Sequence, residues 1–142
     1  MIDSNAIIDH LDEVYGHERP LTPPGGADRR AVLKVAAILM GGCEKCLHVA
    51  YERNRRPPQK LYQPWIDDCI AQVKNAFAAV DTMIDPKKPY LLFERLTHAN
   101  VTAVVAERLA RGLGIDTDEQ TTRLRALTRR LAEEPFFHVG EP

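Results

Sequence analysis

Cys43-Glu44-Lys45-Cys46 sets two thiols three residues apart. On a helix that spacing puts both sulfurs on one face, the geometry of a redox pair or half a metal site. Cys69 and His48 are the nearest further ligand types in sequence. However, His48 stands about 140° around the helix from Cys43, and no second C-x-x-C pair follows. A redox C-x-x-C normally opens a helix after a strand, and no strand precedes this one. The expectation is buried or half-buried free thiols, with no metal bound. Asp3-Ser4 is the second pair that could do chemistry. At a helix start, free amides and the positive end of the helix dipole attract an anion, and the same two residue types are also ordinary N-terminal caps. His10, His17, His48, His98 and His138 are scattered, without a Ser or carboxylate at useful spacing, so no catalytic triad is read. Arg53-Asn54-Arg55-Arg56 ahead of two prolines reads as an exposed helix end.

The elements that position these residues all carry helical periodicity. Ile7, Ile8, Leu11, Val14 and Tyr15 share a face of a first helix that Gly16 stops. Pro20-Leu21-Thr22-Pro23-Pro24-Gly25-Gly26 cannot be helix and is read as a linker. A second helix is expected from about Ala27 to Arg53. Its middle, residues 35–40, is apolar on every side, which predicts a central helix buried on most faces. Gly41-Gly42 predicts a kink or a close backbone approach there. A third helix carries the stripe Ile66, Cys69, Ile70, Val73, Phe77, Val80, Ile84. Pro64 places its start nearer Gln63 than Gln59.

A fourth helix opens at Leu96-Thr97, where Thr97 pairs with Asn100 as a capping box. Val101, Val104, Val105 and Leu109 are expected to face inward, and Gly112 or Gly114 to end the helix. A second box, Thr117 with Gln120, is expected to open a short last helix with Leu124, Leu127 and Leu131 inward. Tyr90-Leu91-Leu92-Phe93 is the only strand-like run and has no partner. The fold class is therefore all-α, a bundle of about five helices.

The 142 residues suit one core, with 44% apolar and 27% charged residues. A net charge of -1 gives no electrostatic case for nucleic acid or an anionic membrane. No apolar run approaches the ~20 residues a membrane helix needs, and no signal peptide is visible. Three cysteines, an odd number, fit reduced thiols in the cytoplasm.

Several runs of this chain resemble glutathione S-transferases. Asp3-Ser4-Asn5-Ala6-Ile7-Ile8 resembles the family's Ser-Asn-Ala-Ile-Leu type signature on the last helix of its thioredoxin-like domain. Tyr51 to Pro58 resembles the Y-E-R-R-R-P-P segment closing the first long helix of the family's C-terminal domain. Leu96-Thr97-His98-Ala99-Asn100-Val101 resembles the L-T-x-A-D-I run opening its buried helix, with Asn100 replacing the aspartate. Leu131 to Phe137 resembles the domain's usual ending.

The resemblance implies a remnant helix of a thioredoxin-like domain at 1–16, a linker at 17–27 and a C-terminal-like helical domain at 28–142. It implies glutathione as co-substrate, with Asp3 and Ser4 holding its glutamyl end, and Met40, Cys43, Leu47 and Tyr51 lining a hydrophobic cleft for a small electrophilic ligand. The family's reaction is conjugation of glutathione to electrophiles. The residue that activates the thiol lies outside this sequence, so the chain reads as a truncated relative that does not turn over alone. Two alternatives stand beside it: a non-enzymatic helical binding or dimerisation module, and a fragment of a full transferase. The bare apolar face of the first helix predicts a homodimer.

Overall fold

Thirty residues without a proline carry α2 from Gly26 to Arg55, about 45 Å of unbroken helix. The structure, a computed structural model, describes residues 4–16 and 18–138, and of Asp118 the backbone alone; Asp3 and His17 lie outside the described residues. Five α-helices follow one another: α1 (Ser4–Tyr15), α2 (Gly26–Arg55), α3 (Gln63–Asp81), α4 (His98–Gly112) and α5 (Thr122–Ala132). Short 3-10 turns lie at Pro58–Lys60, Asp118–Gln120 and Pro135–Phe137. Among the described residues there is no strand, and residues 90–93 form a bend that buries Leu91. Pro64 sits in the first turn of α3, where its missing amide has no helical acceptor to lose.

The core is built where α2 lies across α3 and α4, with α5 closing the far side. From α2 come Val32, Val35, Leu39, Cys46 and Val49; from α3, Ile66, Cys69, Val73, Phe77 and Val80. The expectation that residues 35–40 are buried all round is corrected. α2 buries one stripe, and Leu33 and Ala37 face outward. The glycine pair does not kink the helix. Gly42 instead admits the ring of Phe77: a Cβ there would stand 3.1 Å from Phe77 Cε1 and 3.6 Å from Ala76 Cβ. At that separation a Cβ would need the Phe77 ring to give by a few tenths of an ångström, and a larger side chain would need more.

α4 turns the expected Val104 into the core, with Val101 and Leu109 half-buried, but not Val105. Val105 is 52% exposed, while Ala99, Ala103, Ala106 and Ala110 are all buried. These alanines recur at i, i+4, i+7 and i+11, one continuous face. Small side chains let the α4 backbone sit close, so the inward stripe is marked by size rather than by hydrophobicity. Gly114, at φ 68°, ends the element beyond Leu113.

The capping box of α4 forms as expected from the residues. Asn100 Oδ1 accepts from the Thr97 amide at 3.0 Å and from its hydroxyl at 2.9 Å. With the oxygen so engaged, the Asn100 Nδ2 amide is buried and makes no hydrogen bond. An orphaned buried donor costs about 1–3 kcal/mol. Asn100→Asp removes that donor and adds a negative charge at a helix N-terminus. Its expected result is a gain of about 1 kcal/mol in urea unfolding at neutral pH; a loss would mean that burying the carboxylate outweighs both effects.

The Thr117–Gln120 pair is a second correction. It forms the 3-10 turn Asp118–Gln120 and does not cap α5. The first amides of α5, those of Arg123 and Leu124, both donate at 2.8 Å to Oδ1 of Asp81, at the end of α3. A carboxylate delivered across some forty residues of sequence has displaced the local cap.

Candidate functional site

α1 buries none of its residues fully. Polar contacts on its inner side hold it to the bundle. Asp12 accepts from the Leu21 amide at 2.7 Å and the Thr22 amide at 2.8 Å, one to each carboxylate oxygen. Asp9 pairs with Arg29 of α2 at 2.7 Å, and Arg29 also donates to the Pro23 carbonyl. The linker is fixed in turn to α4: the His98 amide donates to the Leu21 carbonyl at 2.9 Å, and Arg95 donates to the Pro20 carbonyl. Proline at 20, 23 and 24 leaves this segment few amides of its own, and two of those it keeps are spent on Asp12.

Ser4 is the first residue of α1 and is exposed, and the amides of a helix's first turn carry a partial positive charge. Those amides suit an anion such as a carboxylate. Below them, between α1, the linker and α2, runs a cleft of about 600 Å³ edged by Asp9, Asp12, Glu13 and Arg29. A smaller one of about 240 Å³ lies between Ile8, Thr22, Leu33 and His98. His98 is buried, and that burial lowers its pKa from the usual imidazole range, while Asp12 pulls it back upward. The outer face of α1 is apolar and bare: Ile7, Leu11, Val14 and Tyr15 are all exposed.

The residues expected to line a hydrophobic cleft divide. Leu47 and Tyr51 are exposed, at 44% and 59%, and Met40 is half-buried on the same side of α2. Cys43, beside them on the helix, is buried at the edge of the core. Near this outer face of α2 stands Trp65 at the start of α3. Lys45 lies 5.6 Å over its ring and His48 meets it edge-on at 5.8 Å.

Cys43, Cys46 and Cys69 are free and buried. Burial pushes all three thiols up, Cys46 to about 11. A nucleophilic or redox-active thiol needs the opposite shift, so here the sulfurs act as small apolar groups. Among the described residues no group of three or more His, Cys, Asp or Glu side chains could hold a metal ion. Nor is any described helix long and apolar enough to cross a membrane.

Sequence reasoning missed Asp12, Arg29 and His98, which organise the α1–linker junction. The available signal was slight: Asp9 and Asp12 are carboxylates three residues apart on the polar side of an amphipathic helix, just ahead of a proline-rich segment. Nothing in the sequence told where their partners lay.

A bundle of four helices with one further amphipathic helix strapped across it defines an all-α class of fold. The fold is that of the C-terminal helical domain of glutathione S-transferases, together with the helix that precedes it. A glutathione S-transferase of Methylobacterium radiotolerans JCM 2831, in complex with glutathione sulfonate, superposes with a TM-score of 0.87 at 19% identity, over 100% of this chain and 66% of that one. A glutathione transferase family member of Pseudomonas fluorescens Pf-5, with bound S-(propanoic acid)-glutathione, gives 0.88 at 22% identity, over 100% and 71%. Maleyl pyruvate isomerase, a bacterial zeta-class glutathione S-transferase, gives 0.73 at 23% identity, over 97% and 66%. This chain thus spans about two thirds of the length of these structures. At such identities the likeness is one of fold. No protein-family model and no curated protein matches the sequence.

Proposed function

We propose that these 142 residues supply the helical, electrophile-side part of a glutathione transferase-type protein, and that alone they do not conjugate glutathione. The carrying observation is that the superposition extends over the whole chain, α1 included, onto transferases whose structures contain glutathione or its derivatives. On this reading Ser4 and the α1 amides take the glutamyl carboxylate, and Asp3 pairs with the ammonium group. Met40, Leu47 and Tyr51 face the electrophile, with Cys43 behind them. The chemistry of the family is thiol activation and positioning. Among the described residues, however, each of the three thiols is buried and raised in pKa.

The test is a glutathione titration followed by amide shifts at Ser4 and its neighbours, run beside a conjugation assay with an aryl halide. Weak binding localised to α1, with Kd near or above about 1 mM for so few contacts, and no turnover are expected. Robust conjugation by this chain would sink the proposal on catalysis; no shift at α1 would sink the glutathione site.

A second reading is a helical module that binds or dimerises without turnover. The exposed Leu33, Leu47 and Tyr51 on α2 and the bare face of α1 support it. In either case a second copy covers the apolar face of α1 in the isolated chain. Light scattering then gives about twice 16.0 kDa, and a monomer at high concentration would count against a homodimer. Three free buried thiols also suit a reducing, cytoplasmic setting.

A further inference from the structure

We propose that His98 makes the junction of α1, the linker and α4 a pH-sensitive latch, closed at neutral pH and opened by weak acid so that α1 swings off the bundle. The proposal stands on the geometry of the junction and does not depend on whether glutathione binds there.

His98 is the first residue of α4 and is 5% exposed, at the wall of the small cavity beneath α1. Asp9 from α1, Arg29 from α2 and Thr22 from the linker line the same cavity, and Asp12 of α1 acts on the ring's charge. Asp12 favours an imidazolium, but burial of the ring outweighs it. Asp9 is paired with Arg29. Each oxygen of Asp12 already takes a linker amide. The N-terminus of α4 places its own partial positive charge at the same point.

A proton on His98 therefore favours the open arrangement, in which the ring reaches water. What it works against is slight. α1 contributes no fully buried residue and is held by Asp12 and Asp9. The Leu21 carbonyl, which accepts from His98 itself, ties the linker to the same switch.

The sign follows from linkage. The ring's pKa is lowered in the closed state, by burial first, so the open state binds more protons. Closure is complete above the free imidazole value of about 6.5 and is lost as pH falls below it.

The experiment is amide hydrogen exchange by NMR on this chain at several pH values from 7.5 to 5.5, corrected for intrinsic rates. Protection at Leu21, Thr22 and α1 is expected to fall by up to about tenfold, the ratio set by one proton over one pH unit below 6.5. Core amides such as Val73 and Phe77 keep theirs. His98→Gln, neutral throughout, gives a flat profile. In the wild type, the His98 ring protonates below the free imidazole value of about 6.5, a measurement that needs no variant. Unchanged protection at Leu21 and Thr22 down to pH 5.5 would overturn the latch. So would a loss in His98→Gln equal to that of the wild type, core amides failing in step with α1, or a His98 titration at or above the free imidazole value of about 6.5.

Discussion

Phe77→Ala is expected to lower the stability of this chain by about 4 kcal/mol, within the range of about 3–5 for truncating a buried Phe. The ring is 0% exposed and fills the space opposite Gly42, where α2 and α3 come closest. Deleting it leaves a cavity that neither helix can close, because both are pinned along their length by the rest of the stripe. Domains of this kind have total stabilities of about 5–15 kcal/mol, so the loss brings the fold near its limit and lowers Tm by roughly 12 °C. Gly42→Leu attacks the same contact from the other side by overpacking and is expected to cost more than about 2 kcal/mol. The double variant supplies the decisive measurement. The Leu side chain occupies the room the ring vacated, so the combined loss falls short of the sum of the two single losses. Additive losses in urea unfolding would mean that Gly42 and Phe77 do not share one contact.

Asp81→Ala should remove about 3 kcal/mol. Two α5 amides lose a charged acceptor at once, and hydrogen bonds to charged groups contribute about 1.5–3 kcal/mol each, partly recovered from water. The damage is local in origin: α5 loses its N-terminal tie while Leu124, Leu127 and Leu131 still pack on the core. Hydrogen exchange is expected to show α5 opening before α2 and α3. Both bonds go to the same oxygen. Asp81→Asn therefore keeps the acceptor and loses the charge alone, for about 1 kcal/mol. Equal losses from Ala and Asn would locate the effect in charge rather than in capping geometry.

These two sites mark the division between what was legible in the sequence and what was not. α1, α3 and the Thr97–Asn100 cap were legible because their signals are local: an apolar face at helical spacing, a proline in the first turn, two polar residues three apart. The placing of Leu47 and Tyr51 on one side of α2 followed from the same periodicity. The outward Val105 and the inward alanines of α4 were not legible, since apolar pattern ranks residues by hydrophobicity and close backbone packing selects by size. Nor was the solvent-facing side of α2, because an all-round apolar stretch does not say how many neighbours will arrive. Asp81, Asp12 and His98 were equally hidden, as each takes its meaning from a partner distant in sequence.

The amino-acid sequence by itself determined the all-α class, the five helices and most of their ends, because backbone hydrogen bonding, glycine and proline geometry and side-chain periodicity act over a few residues. Only the tertiary structure decided which face of each helix is dry, which carboxylate caps α5, and that α1 is held by Asp12, Asp9 and the His98 junction rather than by burial. Those outcomes depend on contacts between segments tens of residues apart, and their energies exist only once the bundle has closed.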